Sequence, residues 1–391
     1  MVAVLVFAVT LLLAVFLSEF ARRSILSTAV LFLAAGFIAG EGMMDWIRLD
    51  TSNPVVSRFS ELALFSVLFT DGMRIRVADL GSAWRLPGRA LLFGLPLTVL
   101  VMALLARWTL GLTWIEACLL GAALSPTDPV FAAAIVGREE IPHRIRHLLN
   151  VESGVNDGIA LPFVLVLLGL ASGTQVSETM LLGEVALGIL LGMAIPWTAL
   201  QLEKTPLFSV ASRYEPFDAF AIGLLVFAVA SLTHANEFLA AFTAGVTIAT
   251  THPLAREQFH EFGDRLAELL KLAALLVFGA LMSIQFLAEI DWTGYLFAFL
   301  ALAVARPVAL SVALAGSSIT WREWLIAAWF GPRGFASVVF GLIILRSAID
   351  AADRLFHLIA MVVAASIIAH SSTDVILSRW LYGERPEQAR A

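Results

Sequence analysis

Residues 112–137 read LTWIEACLLGAALSPTDPVFAAAIVG, an apolar stretch long enough to cross a membrane but interrupted in its middle by two prolines. Pro126 and Pro129 lack backbone donors, and their rings clash with the preceding turn, so a helix should break there. The break leaves free carbonyls and half-helix dipole ends beside Asp128, which suits a cation that has lost its water. A plain proline kink, with Asp128 capping the second half-helix, is the alternative interpretation.

The rest of the chain is similarly apolar. Of its 391 residues, 60% are hydrophobic and 14% charged, and the mean hydropathy is +0.89. A soluble domain of this length needs more polar surface, and the apolar runs are too long and continuous for the strands of a barrel. We therefore expect one all-α polytopic membrane domain over residues 1–391, with about thirteen transmembrane helices near 2–20, 25–41, 60–77, 88–107, 112–137, 147–171, 180–201, 217–234, 237–251, 266–288, 292–315, 323–345 and 355–378.

Basic residues are distributed unevenly between the predicted loops. With the N-terminus outside, 18 of the 25 basic residues, Lys271 among them, fall in inner loops and the C-terminal tail. Five fall in outer loops, and Arg306 and Arg333 fall within spans. This bias follows the positive-inside rule and predicts a cytoplasmic C-terminus. An odd number of spans also gives the first six and the last six opposite orientations, so we expect two inverted six-helix repeats whose broken helices cross at mid-membrane.

A second polar cluster interrupts the predicted span 147–171, where residues 150–158 read NVESGVNDG. A spacing of four places Ser153 beside Asp157 on one helix face and Glu152 beside Asn156 on the adjoining face. Ser153 and Asp157 offer the hard oxygen ligands that an alkali cation prefers, and a carboxyl removed from water can hold a proton instead. A polar seam between helices is the alternative, although two acids within six residues exceed what a seam requires.

Two further charged positions need partners. Glu152 requires a counter-charge, and we expect Arg333, in the GPRG sequence of residues 331–334, to form a structural ion pair with it. The glycines and proline of that sequence also predict a second broken helix. Asp71 has two interpretations. It could add a ligand or line the inner funnel that leads to the site, or it could be a carboxylate beside Arg74 at the cytoplasmic end of the helix.

Together these motifs resemble the cation:proton antiporter superfamily, specifically its sodium/proton exchanger (NhaP-like) branch. The resemblance runs from FARRSILSTAVLFLAAGFIAGEG (20–42) through SPTDPVFAAAIV (125–136) and ESGVNDG (152–158) to GPRGFASVV (331–339). It implies that Asp157 carries the ion, with Ser153 and Thr127 as its neighbours around Na⁺ and Asp128 at the helix crossing. It also implies a homodimer in which core helices, about 88–171 and 292–378, move against a dimerisation domain, about 1–77 and 180–288.

The expected activity is therefore exchange of Na⁺ or Li⁺ for H⁺ by alternating access. Asn156 stands where the electrogenic branch has a second aspartate, which suggests electroneutral one-for-one exchange. A K⁺/H⁺ exchanger on the same frame, a passive channel and an intramembrane aspartate hydrolase are the alternatives. The expected partners are a monovalent cation, a proton, the lipid bilayer of the cell inner membrane and a second copy, with no cofactor and no nucleic acid.

Overall fold

The computed structural model describes residues 1–17, 28–47, 54–75, 84–128, 141–172, 178–208, 210–211, 214–347 and 349–382. Within these ranges the chain is helical and contains no strand, so the predicted all-α fold class is confirmed. The helices are α1 Val2–Phe16, α2 Thr28–Ala39, α3 Pro54–Arg74, α4 Leu86–Leu110, α5 Trp114–Leu124, α6 His143–Ala171, α7 Glu178–Glu203, α8 Glu215–Leu232, α9 Glu237–Thr251, α10 Pro253–Ala280, α11 Ile284–Glu289, α12 Trp292–Ala313, α13 Trp321–Trp329, α14 Phe335–Leu345 and α15 Ala352–Tyr382.

Each predicted span corresponds to a helix or to a broken helix. Six helices in the described residues are long and apolar enough to cross a membrane, namely α4, α6, α7, α8, α12 and α15. The span 112–137 corresponds to α5 followed by an extended segment, and its residues after Asp128 lie outside the described residues. The span 323–345 is the pair α13 and α14, separated by an extended segment at residues 330–334.

The tenth predicted span, 266–288, was wrong at both ends. Helix α10 begins at Pro253, where His252 accepts a hydrogen bond from the Ala255 amide, and continues for 28 residues to Ala280. Proline suits the first turn of a helix because its missing N–H has no intrahelical partner there. The start was not predicted because the first half of α10 is polar, and hydropathy identifies only the apolar second half. Lys271, assigned to an inner loop, is therefore buried inside the helix.

The same order of elements occurs twice in the chain. Helices α4 and α12 both contain a π-helical segment, at Ala90–Gly94 and Ala301–Ala305, and the two helices pack together. Each is followed by a helix that starts with a capping box, formed by Thr113 and Glu116 in α5 and by Thr320 and Glu323 in α13. Both of these helices then unwind into an extended segment. The repeat places the two extended segments in equivalent positions.

The helices pack mainly within two groups. Helices α1–α3 and α7–α10 form the first group, and α4–α6 with α12–α15 form the second. Glycines allow close packing within the first group, because a Cβ at Gly36 would lie 2.1 Å from the Leu276 carbonyl oxygen of α10. The groups meet where α3 and α9 contact α6 and where α10 contacts α14. That boundary contains the polar residues described next.

Candidate functional site

The two extended segments cross and are joined by backbone hydrogen bonding. The Asp128 N–H donates to the Pro332 carbonyl at 2.9 Å, and the Asp128 Oδ2 accepts from the Phe335 N–H at 3.1 Å. Phe335 is the first residue of α14, so Asp128 satisfies a backbone donor at the start of a helix from the other repeat. A Cβ at Gly334 would lie 2.2 Å from the Asp128 Cβ, which explains why glycine occupies this position.

Thr127 connects the crossing to α6. Its hydroxyl lies 3.1 Å from the Ser153 hydroxyl and accepts a hydrogen bond from the Asn156 Nδ2 at 2.7 Å. Thr127, Ser153 and Asn156 are all buried. The structure therefore brings together three of the residues predicted as cation neighbours, and it gives Asn156 a defined task in orienting Thr127.

Asp157 lies one residue further along α6 and is 4% exposed. Its Oδ1 and the Asn156 Oδ1 are buried acceptors without a hydrogen-bond partner in the part of the chain that the structure describes. Most buried polar atoms in proteins are hydrogen-bonded, so two unsatisfied acceptors on adjacent residues require an explanation. Both are oxygens of the kind that bind alkali cations.

The predicted ion pair between Glu152 and Arg333 was wrong. Arg306 instead binds Glu152 with both of its terminal nitrogens, at 2.6 and 2.8 Å, and its Nε donates to the Ala327 carbonyl. Arg306 follows the π-helical segment of α12 and is 4% exposed. A bidentate arginine–carboxylate pair has the geometry that makes a buried ion pair tolerable.

Arg333 has a different role at the crossing. Its Nη1 donates to the Ser125 carbonyl at 2.7 Å, and its backbone N–H donates to the Ser366 hydroxyl of α15. Ser125 is the C-cap residue of α5, where the break in the helix frees carbonyl groups. Arg333 thus donates a hydrogen bond to a backbone carbonyl at the broken end of α5. Through its own backbone it also anchors the crossing to α15.

Asp71 lies on α3 at the boundary between the two helix groups and is 2% exposed. Its Oδ1 accepts from Arg74 at 2.9 Å, and Arg74 also binds Asp264 of α10 at 2.8 Å. Asp71 therefore lies beside Arg74, as one of the two interpretations expected, but it is buried, and its position at the cytoplasmic end of the helix stays a prediction. Asp71 is at the same time close enough to Asp128 and Lys271 for their charges to interact. A role as a cation ligand stays a prediction.

Lys271 is the residue of this region that the sequence interpretation missed. Its ammonium lies 3.9 Å from the Asp128 Oδ1 and 6.0 Å from the centre of the Phe335 ring. A lysine among the apolar residues of the predicted span 266–288 was the available signal. Lys271 was instead counted with the basic residues of the inner loops.

Taken as a whole, the site contains three buried carboxylates, Asp71, Asp128 and Asp157, beside hydroxyl and amide oxygens. Two of these carboxylates have basic neighbours at ion-pair distance, Arg74 for Asp71 and Lys271 for Asp128. Asp157 is within electrostatic range of both other carboxylates. Such an arrangement attracts a monovalent cation or a proton.

Comparison with known proteins points to one family. The family described as "Sodium/hydrogen exchanger, transmembrane" matches residues 7–379. A K⁺/H⁺ antiporter NhaP2 from Shewanella baltica is 26% identical over 381 residues, which cover 95% of this chain and 65% of that protein. A K⁺/H⁺ antiporter NhaP from Alkalimonas amylolytica is 26% identical over 395 residues, covering 99% of this chain and 68% of the relative. The chain thus spans about two thirds of the length of these curated relatives.

A solved structure shares the fold along its whole length. The sodium proton antiporter MjNhaP1 from Methanocaldococcus jannaschii superposes with a TM-score of 0.80 at 20% sequence identity. The match covers 98% of this chain and 99% of that chain. The helix order described above therefore belongs to a known architecture.

Proposed function

Because this chain belongs to the sodium/hydrogen exchanger family, we propose that it exchanges one monovalent cation for one proton across a membrane, with Asp157 binding either ion. The family and the relatives named above are antiporters and not enzymes, so the intramembrane hydrolase alternative is set aside. The transported cation and the proton are substrates, and the proposal involves no cofactor.

The observation that carries this proposal is the pair of unsatisfied acceptors on α6. Asp157 Oδ1 and Asn156 Oδ1 are buried without hydrogen-bond partners in the described part of the chain. Ser153 lies one turn before Asp157 on the same face, and its hydroxyl contacts Thr127. A cation bound to the Asp157 carboxylate and the Ser153 and Thr127 oxygens would satisfy the Asp157 oxygen, and a proton on Asp157 is the alternative occupant.

The packing of the helices in two groups supports alternating access. We propose that helices α4–α6 and α12–α15 move as the core against α1–α3 and α7–α10, which form the dimerisation domain. The core then contains the crossing, the Glu152–Arg306 pair and Asp157, and these stay together during the movement. Asp71 and Lys271 lie on the other group, at the boundary where movement would change their distance from the crossing.

Sodium is the cation that we propose first. Its preferred ligands are hard oxygens, and the Asp157 carboxylate and the Ser153 and Thr127 hydroxyls offer oxygens of this kind. Potassium is the second candidate, because both sequence relatives described above are named as K⁺/H⁺ antiporters. The chain differs from each of them at about three quarters of the aligned positions, so selectivity must be measured for this protein.

We also propose a placement in the cell inner membrane, with an outer N-terminus, a cytoplasmic C-terminus and a second copy of the chain as partner. The bias of basic residues supports the orientation. Large apolar side chains exposed along α1 and α7, such as Leu5, Phe16 and Leu190, support contact with lipid or with a second copy.

The decisive experiment measures cation-dependent proton movement. Purified protein is reconstituted in vesicles with an acidic interior, and NaCl, LiCl or KCl is added separately while a fluorescent dye reports ΔpH. Exchange predicts dissipation of ΔpH that saturates with the transported cation and is absent from protein-free vesicles. Absence of proton movement with all three cations, from protein that is folded and inserted, would refute the proposed function.

A further inference from the structure

Lys271 is a buried cation at the boundary between the two helix groups. It is 8% exposed and stands in the apolar half of α10, a helix that packs on α2 and α3. Its side chain reaches the crossing of the other group, where the ammonium lies 3.9 Å from the Asp128 Oδ1. Burying an ammonium is costly unless opposite charges compensate for the lost water, so the nearby carboxylates must stabilise it.

The charges that surround Lys271 come from several helices. Asp128 is the strongest attraction, followed by Asp71 of α3, and Asp157 of α6 contributes a weaker one. Arg74 repels Lys271 but is itself held by Asp71 and Asp264. The Lys271 ammonium therefore lies within the negative field that the three buried aspartates produce.

We propose that Lys271 is a tethered internal cation that competes with the transported cation for this field and so sets the cation affinity of the exchanger. The proposal rests on the proposed function. A cation that binds at Asp157 enters a region where an ammonium already neutralises Asp128, and the two positive charges repel each other. The ammonium must then move away from Asp128 on its flexible four-carbon stem. Asp71, whose charge also attracts Lys271, is the carboxylate toward which it would move.

Competition of this kind has a functional consequence. An exchanger has to release its cation on the far side, and a competing positive charge lowers the affinity for the cation. A proton on Asp157 adds the same single positive charge as a monovalent cation, so the Lys271 ammonium opposes the binding of either ion. Lys271 would therefore weaken the hold of the site on the cation and assist its release.

A purely structural role for the Lys271–Asp128 pair makes a different prediction. If the pair only holds α10 against the crossing, then removal of the charge lowers stability and leaves the half-saturating cation concentration unchanged. If Lys271 competes, removal of the charge lowers that concentration. Competition predicts a decrease of about tenfold, which corresponds to about 1.4 kcal/mol of repulsion between the ammonium and the bound cation.

The test compares the wild type with Lys271→Met, Lys271→Gln and Lys271→Arg in the same vesicles. Methionine and glutamine remove the charge and keep much of the stem, whereas arginine keeps the charge. Lys204→Met, at an exposed position where Lys204 contacts Gln201, is the matched control. Half-saturating cation concentrations are measured from ΔpH dissipation. Stabilisation of the detergent-solubilised protein by the same cation gives an independent affinity that does not require transport.

We expect both neutral variants to bind the cation about tenfold more tightly, and Lys271→Arg and Lys204→Met to remain close to the wild type. A folded neutral variant with wild-type affinity would overturn the proposal. Failure of both neutral variants to fold, with Lys271→Arg folded, would assign Lys271 a structural role and overturn it as well. These results concern Lys271 alone, since the proposed function fails only if the wild type itself moves no protons in response to cations.

Discussion

At the scale of single residues, the distinction between Asn156 and Asp157 decides what the site can carry. Both are buried on α6 and both have an unpartnered oxygen, but only the carboxyl can exchange a proton for a cation. The Asn156 amide is engaged with Thr127 and holds that hydroxyl beside Ser153. Asn156 therefore acts on the geometry of the site, whereas Asp157 changes its charge.

We expect Asp157→Asn to abolish exchange and to leave the protein folded, because an amide of nearly the same size neither releases a proton nor balances a cation. The measurement is ΔpH dissipation in vesicles, with the elution profile of the purified variant as the test of folding. Asp353→Asn, at an exposed position near the start of α15, is the control and should exchange like the wild type. Residual cation-driven proton movement by a folded Asp157→Asn variant would show that another group carries the proton.

The Glu152–Arg306 pair is expected to stabilise the core. Replacing either residue alone by glutamine leaves a buried charge without its partner, and we expect a loss of about 3–5 kcal/mol in unfolding free energy. The double variant should lose less than the sum of the single losses, by about 1–3 kcal/mol. Equilibrium unfolding of the solubilised protein measures all three values.

The exposed pair Glu261–Arg265, on the surface of α10, provides the matched control. Exposed pairs at this spacing couple by only about 0.5 kcal/mol or less. Additive losses at Glu152 and Arg306 would remove the pair from the description of the core. If the unfolding free energies coupled Glu152 to Arg333 and not to Arg306, the ion pair predicted from the sequence would be correct.

The sequence identified most of the site but not the partners within it. One helix carries Ser153, Asn156 and Asp157 within five residues, and helical spacing alone predicts which of them share a face. Glu152 and Arg306 are 154 positions apart, and their contact depends on how α12 is rotated against α6. Arg333 and Arg306 were both available to Glu152, and hydropathy contains no information that distinguishes two buried arginines.

At the scale of elements, the crossing of the extended segments depends on residues that allow two backbones to approach. Gly334 is the clearest case, because a Cβ there would lie 2.2 Å from the Asp128 Cβ and 2.6 Å from its Oδ2. We expect Gly334→Ala to lower the unfolding free energy by about 1–3 kcal/mol, as overpacking does, and to reduce exchange strongly.

Gly183→Ala on α7 is the control for Gly334→Ala, since nothing lies within 4 Å of a Cβ at that position. Removing a helical glycine at an open site should be neutral or slightly stabilising. Unfolding and vesicle assays on both variants test the comparison. Normal stability and exchange in Gly334→Ala would mean that the two segments can separate without cost to function.

The helices themselves were largely predictable, since the apolar runs became helices in the described residues, and the breaks before Asp128 and at residues 330–334 fall at sequences with proline. The repeat was predicted from the number and orientation of the spans alone, although the sequence also contains a signature of it. Residues 113–116 read TWIE and residues 320–323 read TWRE, and both form capping boxes at the start of the broken helices. The start of α10 was not predictable from hydropathy, because its first half is polar and its helicity depends on capping by His252 and packing of a narrow apolar face.

At the scale of the whole molecule, the positions of the charged groups determine what a transport cycle can move. Glu152 and Arg306 neutralise each other within the core, and Arg74 is held between Asp71 and Asp264. Lys271 is the basic partner of Asp128. If these groups keep their charges throughout the cycle, then Asp157 alone distinguishes the two loaded carriers.

The site then has the same net charge in both loaded forms. Asp157 is neutral when it holds a proton, and together with one bound monovalent cation it is neutral again. The membrane potential is worth about 2.3 kcal/mol per charge per 100 mV, but it acts only on charge that moves. Neither loaded carrier differs from the other in charge, so the potential cannot drive the exchange. The cation and proton gradients alone should determine its direction.

We therefore expect exchange to be electroneutral, and the measurement is proton movement in proteoliposomes whose potential is clamped with valinomycin and K⁺, with Na⁺ or Li⁺ as the transported cation. Rates and end-points should not depend on the potential, because no net charge crosses with either loaded carrier. Asp157→Asn vesicles at the same potentials provide the background leak. An end-point that shifts with the potential would rule out one-for-one exchange. It would also show that a second group changes its protonation during the cycle. The candidates are the groups whose charges act on Asp157, namely Asp71, Asp128 and Lys271.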